Sequence, residues 1–265
     1  MSDPAEVLDL ARRVAASAAD LVAANRFGVT VAATKSSPVD VVTEVDRASE
    51  ALIRDLVLGA RPDDGFLGEE DGGVAGISGV RWIVDPIDGT VNFLYGLPAY
   101  AVSIAAEVDG QVVAGVVRNV ASGIEYHAAL GQGAWRDDVR LRVRPAPELA
   151  QSLVLTGFNY AADVRRIQAA GLAELLPRVR DIRRFGSCAL DLCTLAEGGA
   201  DAYYEEGIAT WDHAAGALIA REAGARTELT TGPAGREMLL AAPAEGFEAF
   251  REALVECRLI GGNGE

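Results

Sequence analysis

Apolar residues recur at helical spacing in two stretches near the start of the chain. The first stretch covers residues 4 to 25, and Asp3 followed by Pro4 is a typical helix start before it. The second stretch begins near Thr43 and again keeps its apolar residues on one side of a helix. The pattern predicts two amphipathic helices and places Asp46 in the first turn of the second one.

Shorter apolar runs with the pattern of strands follow these helices. FLGEE and RWIVD each end in acidic residues, and the runs AVSIAAEV, QVVAGVVRNV and GIEYHAAL come next. The turn-forming dipeptides Asp109-Gly110 and Ser122-Gly123 separate the last three runs. We therefore expect these three runs to pair as antiparallel strands.

The pattern changes after the proline-containing segment LRVRPAPELAQS. Strand-like runs (SLVLTGF, DAYYEE, EMLLAA) alternate there with helical stretches near 163–176, 187–198, 211–223 and 245–257. This alternation predicts an α/β fold in layers. We expect an N-terminal α+β lobe over residues 1–146 and a C-terminal α/β lobe over residues 147–265.

Charge and cysteine content limit the partners and the compartment. With 24 basic and 39 acidic residues the net charge is −15, which would repel nucleic acid and anionic membrane surfaces. No segment approaches the roughly 20 apolar residues of a membrane helix, and we expect no signal peptide. The odd set Cys188, Cys193 and Cys257 has no CxxC pair, which favours reduced thiols. We expect a cytoplasmic protein that needs a cation to bind an anionic substrate.

The segment WIVDPIDGTVNF, residues 82 to 93, places acidic residues directly after an apolar run. Pro86 disfavours helical backbone at Asp85, so we expect the chain to turn there and to bring Asp85 and Asp88 to face one point. Together with the carbonyl of Ile87 they would form an all-oxygen ligand set, which suits Mg²⁺.

The next two residues suggest a phosphate contact. Gly89 permits close approach of a ligand, and the N–H groups of Gly89 and Thr90 would stand at a helix start, where phosphate binds readily. Asp, Pro and Gly are also ordinary turn formers, so a plain turn is the alternative. The ligand spacing of an EF-hand and the P-loop motif are both absent.

Other polar residues allow a structural as well as a functional interpretation. Glu69-Glu70 fits a solvated turn, Asp46 complements a helix dipole, and Asp212 fits an N-cap before the run AAGALIAREAG. His127 and His213 have no Cys or His at ligand spacing, so we expect them to serve packing or the surface rather than zinc.

Taken together, four segments resemble the inositol monophosphatases. WIVDPIDGTVNF resembles the first signature of this family and WDHAAGALIAREAG the second, while KSSPVDVVTEVD and FLGEE match further family segments. The likeness covers nearly the whole chain in the right order. It implies a layered αβαβα sandwich, usually dimeric, and a Mg²⁺-dependent, Li⁺-sensitive phosphatase of sugars or polyols.

The resemblance also implies roles for individual residues. One metal would be held by Glu69, Asp85 and the Ile87 carbonyl, and a second by Asp85, Asp88 and Asp212. A weaker third ion would involve Glu69 and waters. Asp46 and Thr90 match the family pair that orients the nucleophilic water, and Glu69 joins them as a catalytic residue. The implied contacts to phosphate or substrate are Asp88, Gly89, Thr90, Gly186, Ser187, Cys188, Glu205 and Asp212.

We expect hydrolysis of inositol 1-phosphate to inositol and phosphate by metal-activated water. Relatives hydrolyse fructose 1,6-bisphosphate, histidinol phosphate or adenosine 3′,5′-bisphosphate, and some bacterial relatives bind the transcription machinery as interaction modules. Cys188 stands where many relatives carry Ala, and Ala225 replaces the second glycine that often closes the second signature. Pocket shape sets which alcohol is accepted, so both changes bear on the substrate. Glu205, at the inositol-contacting position, favours a polyol.

Overall fold

The computed structural model describes residues 3–26, 31–34 and 41–260 of the 265-residue chain. Residues 35–40, the first half of KSSPVDVVTEVD, lie outside the described residues. The helices are α1 (Pro4–Ala24), α2 (Glu44–Ala60), α3 (Thr90–Tyr95), α4 (Ala162–Leu175), α5 (Cys188–Ala196), α6 (Thr210–Glu222) and α7 (Phe247–Glu256). The strands are β1 (Val31–Thr34), β2 (Val41–Thr43), β3 (Gly65–Gly68), β4 (Gly73–Val74), β5 (Val80–Asp88), β6 (Ala101–Val108), β7 (Gln111–Asn119), β8 (Glu125–Ala129), β9 (Ala134–Arg136), β10 (Val139–Arg140), β11 (Leu153–Thr156), β12 (Asp181–Arg183), β13 (Ala202–Glu206), β14 (Ala225–Thr231) and β15 (Glu237–Pro243).

In the described part of the chain the strands form two sheets and one separate pair, β1–β2. The larger sheet has eight strands in the order β10-β9-β8-β7-β6-β5-β3-β4, and the smaller has five in the order β12-β11-β13-β15-β14. Pairing is parallel between β3 and β5 and between β11 and both of its neighbours, and otherwise antiparallel. The predicted antiparallel pairing of β6, β7 and β8 is confirmed.

Helices and sheets alternate in five layers. Val14 of α1 and Ile53 of α2 pack with Trp82 on one face of the larger sheet. Helices α5 and α6 lie between the sheets: Leu218 joins the core of the larger sheet, and its neighbour Ala217 joins the core of the smaller one. Helices α4 and α7 cover the outer face of the smaller sheet. The predicted αβαβα sandwich is confirmed.

The two N-terminal helices begin where the sequence predicts. The Asp3 carboxylate accepts a 2.9 Å hydrogen bond from the backbone N–H of Ala5 at the start of α1. Helix α2 starts with a capping box, in which Thr43 accepts from the first turn and Asp46 accepts from the Thr43 backbone N–H at 2.8 Å. Asp46 is fully buried, so it is more than a charge at a solvated helix end.

The prediction that the chain turns at Pro86 is wrong. Strand β5 continues through Pro86 to Asp88, and its pairing with β6 is irregular between Asp85 and Asp88. Residues three apart in a regular strand point to opposite faces, and an extra residue at a bulge reverses that alternation. Both carboxylates therefore reach the same pocket, and the turn follows at Gly89, whose φ is +89°.

The two sheets come from successive parts of the chain. The larger sheet ends at Arg140 and the smaller one begins at Leu153, with α6 packed against strands of both. The lobe boundary near residue 147 stays a prediction. Among the described residues, every helix is too short or too polar to cross a membrane.

Candidate active site

A pocket of about 400 Å³ is lined by residues from both sheets and the loops beside them. The predicted site residues on its wall are Glu69, Asp85, Ile87, Asp88, Gly89, Thr90, Gly186, Cys188, Glu205 and Asp212. Two others, Asp46 and Ser187, lie behind this wall, where they contact Thr90 and Asp88 respectively. The structure thus brings together acids from both predicted lobes.

The loop that carries Glu69 is held by a buried carboxylate. Glu50 of α2 is fully buried and accepts hydrogen bonds from the backbone N–H groups of Glu70 at 2.7 Å and Asp71 at 2.9 Å. Arg54 donates to the same carboxylate at 2.9 Å. Glu69 and Glu70 are only partly exposed, so the loop is not the freely solvated turn that the pair alone would suggest.

The carboxylates of the pocket repel one another. Burial first, and then repulsion, raises the pKa of Asp85 well above its usual range, the repelling neighbours being Glu69, Asp88 and Asp212. The pKa of Asp212 is raised in the same way, by burial and then by Glu69 and Asp88. A cluster of this kind is stabilised by added positive charge.

Asp88 connects the two halves of the chain. Its Oδ2 accepts hydrogen bonds from the Ser187 hydroxyl at 2.5 Å and from the Ala189 backbone N–H at 2.7 Å. Burial raises the pKa of Asp88 to about 7, although these hydrogen bonds act in the opposite direction. Ser187, predicted to contact substrate, contacts Asp88 in this structure and caps α5 by accepting from the backbone N–H of Leu190.

The donor set suits a hard cation, although it is not drawn tightly together. Within residues 3–26, 31–34 and 41–260, no three Asp, Glu, His or Cys side chains could hold a metal ion as they stand. Oδ2 of Asp88 is engaged as described, and Oδ2 of Asp212 accepts from the Ala209 backbone N–H at 2.6 Å. The groups are all oxygen donors, buried or half-buried and mutually repelling, which matches the preference of Mg²⁺. The residues therefore fit such an ion in chemistry and charge.

Thr90 lies between the pocket and Asp46. Its hydroxyl is 3.1 Å from Asp46 Oδ1 and 3.0 Å from the Ile87 carbonyl oxygen. A hydroxyl has one hydrogen, so it donates to one of these acceptors at a time and keeps lone pairs for a third partner. Asp46 therefore stabilises the start of α2 and also contacts Thr90 in the pocket wall.

Gly89 is required by the close approach of the two halves. A Cβ at this position would lie 2.8 Å from the Ala99 carbonyl oxygen and 3.2 Å from the Gly186 carbonyl oxygen, and its φ of +89° is strained for other residues. Asn92 of α3 donates to the Phe185 carbonyl at 2.8 Å and so ties α3 to the same segment.

A family model described as the inositol monophosphatase family matches residues 3–257. The chain belongs to the inositol monophosphatase family. Members of this family are phosphoric monoester hydrolases of small phosphorylated substrates and are generally metal-dependent.

Individual relatives agree with this assignment. Inositol-1-monophosphatase SuhB of Mycobacterium tuberculosis is 49% identical over 264 residues, covering 91% of each chain. A protein named Nus factor SuhB from Pasteurella multocida is 42% identical over 193 residues, covering 72% of each chain. The solved structure of Mycobacterium tuberculosis SuhB superposes with a TM-score of 0.83 at 44% identity, covering 97% of this chain and 98% of that one.

Several pocket residues of this inositol monophosphatase family member were not predicted. They are Phe158, Asn159, Tyr160, Ala161, Arg184, Glu206, Gly207, Ile208, Ala209, Trp211 and Arg236. Most follow the strands β11 and β13, whose carboxyl ends meet at one sheet edge because the strands are parallel. The strand-like runs SLVLTGF and DAYYEE carried this signal, since the loops after parallel strands commonly form pockets.

The second signature lies at the start of helix α6, where Trp211 and Asp212 line the pocket. Helix α6 starts at Thr210, so Asp212 is its third residue and the N-cap position belongs to Ala209. The N-cap interpretation of Asp212 is wrong, although its carboxylate does accept from the Ala209 N–H.

His127 and His213 are buried, and burial lowers the pKa of His213 to about 4, in line with packing roles.

Proposed function

We propose that this chain hydrolyses inositol 1-phosphate to inositol and phosphate with two to three Mg²⁺ ions per site. The proposal rests on one observation: the four carboxylates of Glu69, Asp85, Asp88 and Asp212 line a single pocket together with Glu205. Acids in such number are unfavourable for a phosphate dianion unless cations separate them from it. Glu205 adds an acceptor for substrate hydroxyls.

The chain would hold its cations through side chains of both lobes. Glu69, Asp85 and the Ile87 carbonyl would form one site, and Asp85, Asp88 and Asp212 a second, with a third weaker site at Glu69. When bound, Mg²⁺ would offset the charge of the phosphate and make water a better nucleophile.

The residues of the chain would orient water and substrate. With its hydrogen directed to Asp46, the Thr90 hydroxyl keeps lone pairs that accept a hydrogen bond from a water and so align it. The N–H groups of Gly89 and Thr90 would contact the phosphate. Asp88 and Glu205 would accept hydrogen bonds from the substrate hydroxyls, with Gly186 and Cys188 lining the pocket beside them.

A substrate panel tests this proposal. It contains inositol 1-phosphate, fructose 1,6-bisphosphate, histidinol phosphate and adenosine 3′,5′-bisphosphate, each assayed with Mg²⁺. We expect the highest kcat/KM for inositol 1-phosphate. A higher kcat/KM for one of the others would transfer the proposal to that substrate, and no hydrolysis of any would contradict it.

A second candidate function is binding to the transcription machinery. It is favoured by the relatives named Nus factor SuhB in Pasteurella multocida and Haemophilus influenzae. The test is a variant of a proposed metal ligand, such as Asp85→Asn. Loss of hydrolysis with retained binding to RNA polymerase would support this function, and the absence of binding by the wild-type chain would contradict it.

The remaining proposals concern assembly and compartment. We propose a cytoplasmic homodimer. The family assignment supports the dimer, and the three buried cysteines, none of which forms a disulfide in the structure, fit a reducing compartment. Sedimentation of the purified chain at twice the 27.7 kDa monomer mass would support the dimer.

A further inference from the structure

Tyr203 is a buried tyrosine whose hydroxyl reaches the pocket wall. It lies on β13 two residues before Glu205, so both side chains point to the same face of the smaller sheet. Its side chain is fully buried among the residues that pack against α5 and α6. Its Oη lies 3.0 Å from Glu205 Oε2 and 3.0 Å from Cys188 Sγ.

Only one arrangement of donors and acceptors satisfies Glu205, Tyr203 and Cys188 together. An ionised carboxylate only accepts, a phenol has one hydrogen, and a thiol is a weak donor. Tyr203 therefore donates to Glu205, and its oxygen is left to accept from the thiol of Cys188. Burial raises the pKa of both Tyr203 and Cys188 well above the usual range, so both hydrogens stay in place at neutral pH.

The other side of the Glu205 carboxylate is closed by a glycine. A Cβ on Gly157 would lie 1.9 Å from Oε1 and 2.2 Å from Oε2 of Glu205. The carboxylate thus occupies the space that a side chain at residue 157 would take. Glu205 is confined between Gly157 and the Tyr203 hydroxyl, and it lines the pocket.

We propose that Tyr203, seated on Cys188, is a positioning residue that fixes Glu205 to accept a hydroxyl of the substrate and so selects polyol phosphates over phosphates without further hydroxyls. This rests on the proposed function, in which Glu205 contacts substrate hydroxyls. Tyr203 touches neither the phosphate nor the attacking water in this arrangement. Its effect is therefore on substrate binding and not on the chemical step.

The test compares two substrates in the variant Tyr203→Phe, which removes only the oxygen. We expect KM for inositol 1-phosphate to rise about tenfold, the scale of one lost hydrogen bond to a charged group, with kcat unchanged. KM for phenyl phosphate, which has no further hydroxyl, stays at the wild-type value. An equal rise for both substrates, or no rise for either, overturns the proposal.

Tyr204→Phe is the matched control. Tyr204 is the next residue of the same strand and is also buried, but it faces α4 and α7 on the other side of the sheet. Tyr204→Phe also loses only the hydroxyl oxygen, and we expect both KM values to stay at the wild-type level. Cys188→Ala should raise KM for inositol 1-phosphate less than Tyr203→Phe, and Cys188→Ser should reverse that rise because it keeps a donor.

A second variant reaches the same carboxylate without altering Tyr203. Gly157→Ala places a methyl group where the Glu205 carboxylate lies, so it should raise KM for inositol 1-phosphate and spare phenyl phosphate. Equal effects on both substrates would count against the proposal here too. If the wild-type chain prefers phenyl phosphate, the proposed function fails; if it prefers inositol 1-phosphate while Tyr203→Phe and Gly157→Ala keep its full preference, only this inference fails.

Discussion

The hydroxyl of Thr90 and the carboxylate of Asp46 lie 3.1 Å apart, although 44 residues separate them in the chain. Asp46 is fixed on its other oxygen by the backbone N–H of Thr43 at 2.8 Å. Asp46 is fully buried, and Thr90 lies on the pocket wall. This contact is the basis for the proposal that the pair orients the attacking water.

Thr90→Ala is expected to lower kcat by about 10²–10⁴ with little change in KM, because alignment of the attacking water acts mainly in the transition state. Steady-state kinetics with inositol 1-phosphate measures both constants. Thr90→Ser keeps the hydroxyl and is the control, with kcat close to wild type. A Thr90→Ala enzyme with undiminished kcat would remove Thr90 from the mechanism.

Asp46→Asn is expected to lower kcat to a similar extent, and its amide oxygen still accepts from Thr43, so α2 keeps its start. The double variant with Thr90→Ala should lose little more than either single variant, because the two residues act as one unit. Additive losses in the same assay would show that they act separately.

Chelation of divalent cations is expected to abolish hydrolysis, and Mg²⁺ is expected to restore it fully. The reason is electrostatic, since buried and mutually repelling carboxylates such as Asp85 and Asp212 disfavour a phosphate dianion. Activity is measured in EDTA and again after addition of excess Mg²⁺. Equal turnover in EDTA would contradict the metal-dependent mechanism.

Local sequence patterns predicted the helices and strands, and the family motifs predicted the acidic residues of the pocket. Contacts between distant segments of the chain could not be predicted from the sequence. The strands β6 to β8 were predicted because hairpin turns such as Asp109-Gly110 depend on a few neighbouring residues. The bulge at Pro86 was missed, because whether a proline ends a strand or bends it depends on the strand beside it.

The same limit applies to the contact between Ser187 and Asp88. From its place beside Gly186 and Cys188, Ser187 fits a substrate contact, and in the structure its hydroxyl donates to Asp88, which lies 99 residues earlier. Glu50 gave no signal at all, because a glutamate in a helix is usually exposed. Its full burial follows from the fold, which brings the loop after β3 over α2.

Glu50→Gln is expected to weaken Mg²⁺ binding about tenfold, the lower end of the range for residues that orient metal ligands. The Glu50 carboxylate accepts from the N–H groups of both Glu70 and Asp71, and glutamine has only one acceptor oxygen for them. The loop that carries Glu69 would lose part of its support. Calorimetric titration with Mg²⁺ measures the change directly.

Glu44→Gln on the same helix is the control for Glu50→Gln. Glu44 is exposed and pairs with Arg47 at 3.5 Å, an interaction of little energetic consequence at a surface. We expect wild-type Mg²⁺ affinity for this variant. If Glu50→Gln also binds Mg²⁺ with wild-type affinity, the buried carboxylate has no role in orienting the metal loop.

Asp212→Asn is expected to leave the metal-free protein as stable as wild type or slightly more stable. Burial and repulsion by Glu69 and Asp88 raise the pKa of Asp212, so its charged form destabilises the folded state above the ordinary pKa of a carboxyl group. The advantage of the variant should therefore be present near pH 7 and should vanish on acidification below about pH 4. Melting curves without metal at the two pH values measure it.

Mg²⁺ should reverse this order of stability. Wild type gains stability as RT ln(1 + [L]/Kd), about 2.7 kcal/mol at a concentration 100 times Kd, and a ligand-deficient variant gains less and loses most of its turnover. If Asp212 served only the start of α6, the amide oxygen of asparagine would still accept from the Ala209 N–H, which now lies 2.6 Å from the carboxylate. The metal response and turnover would then survive the substitution. An unchanged Mg²⁺ shift in melting temperature together with near-normal turnover would therefore remove Asp212 from the proposed metal site.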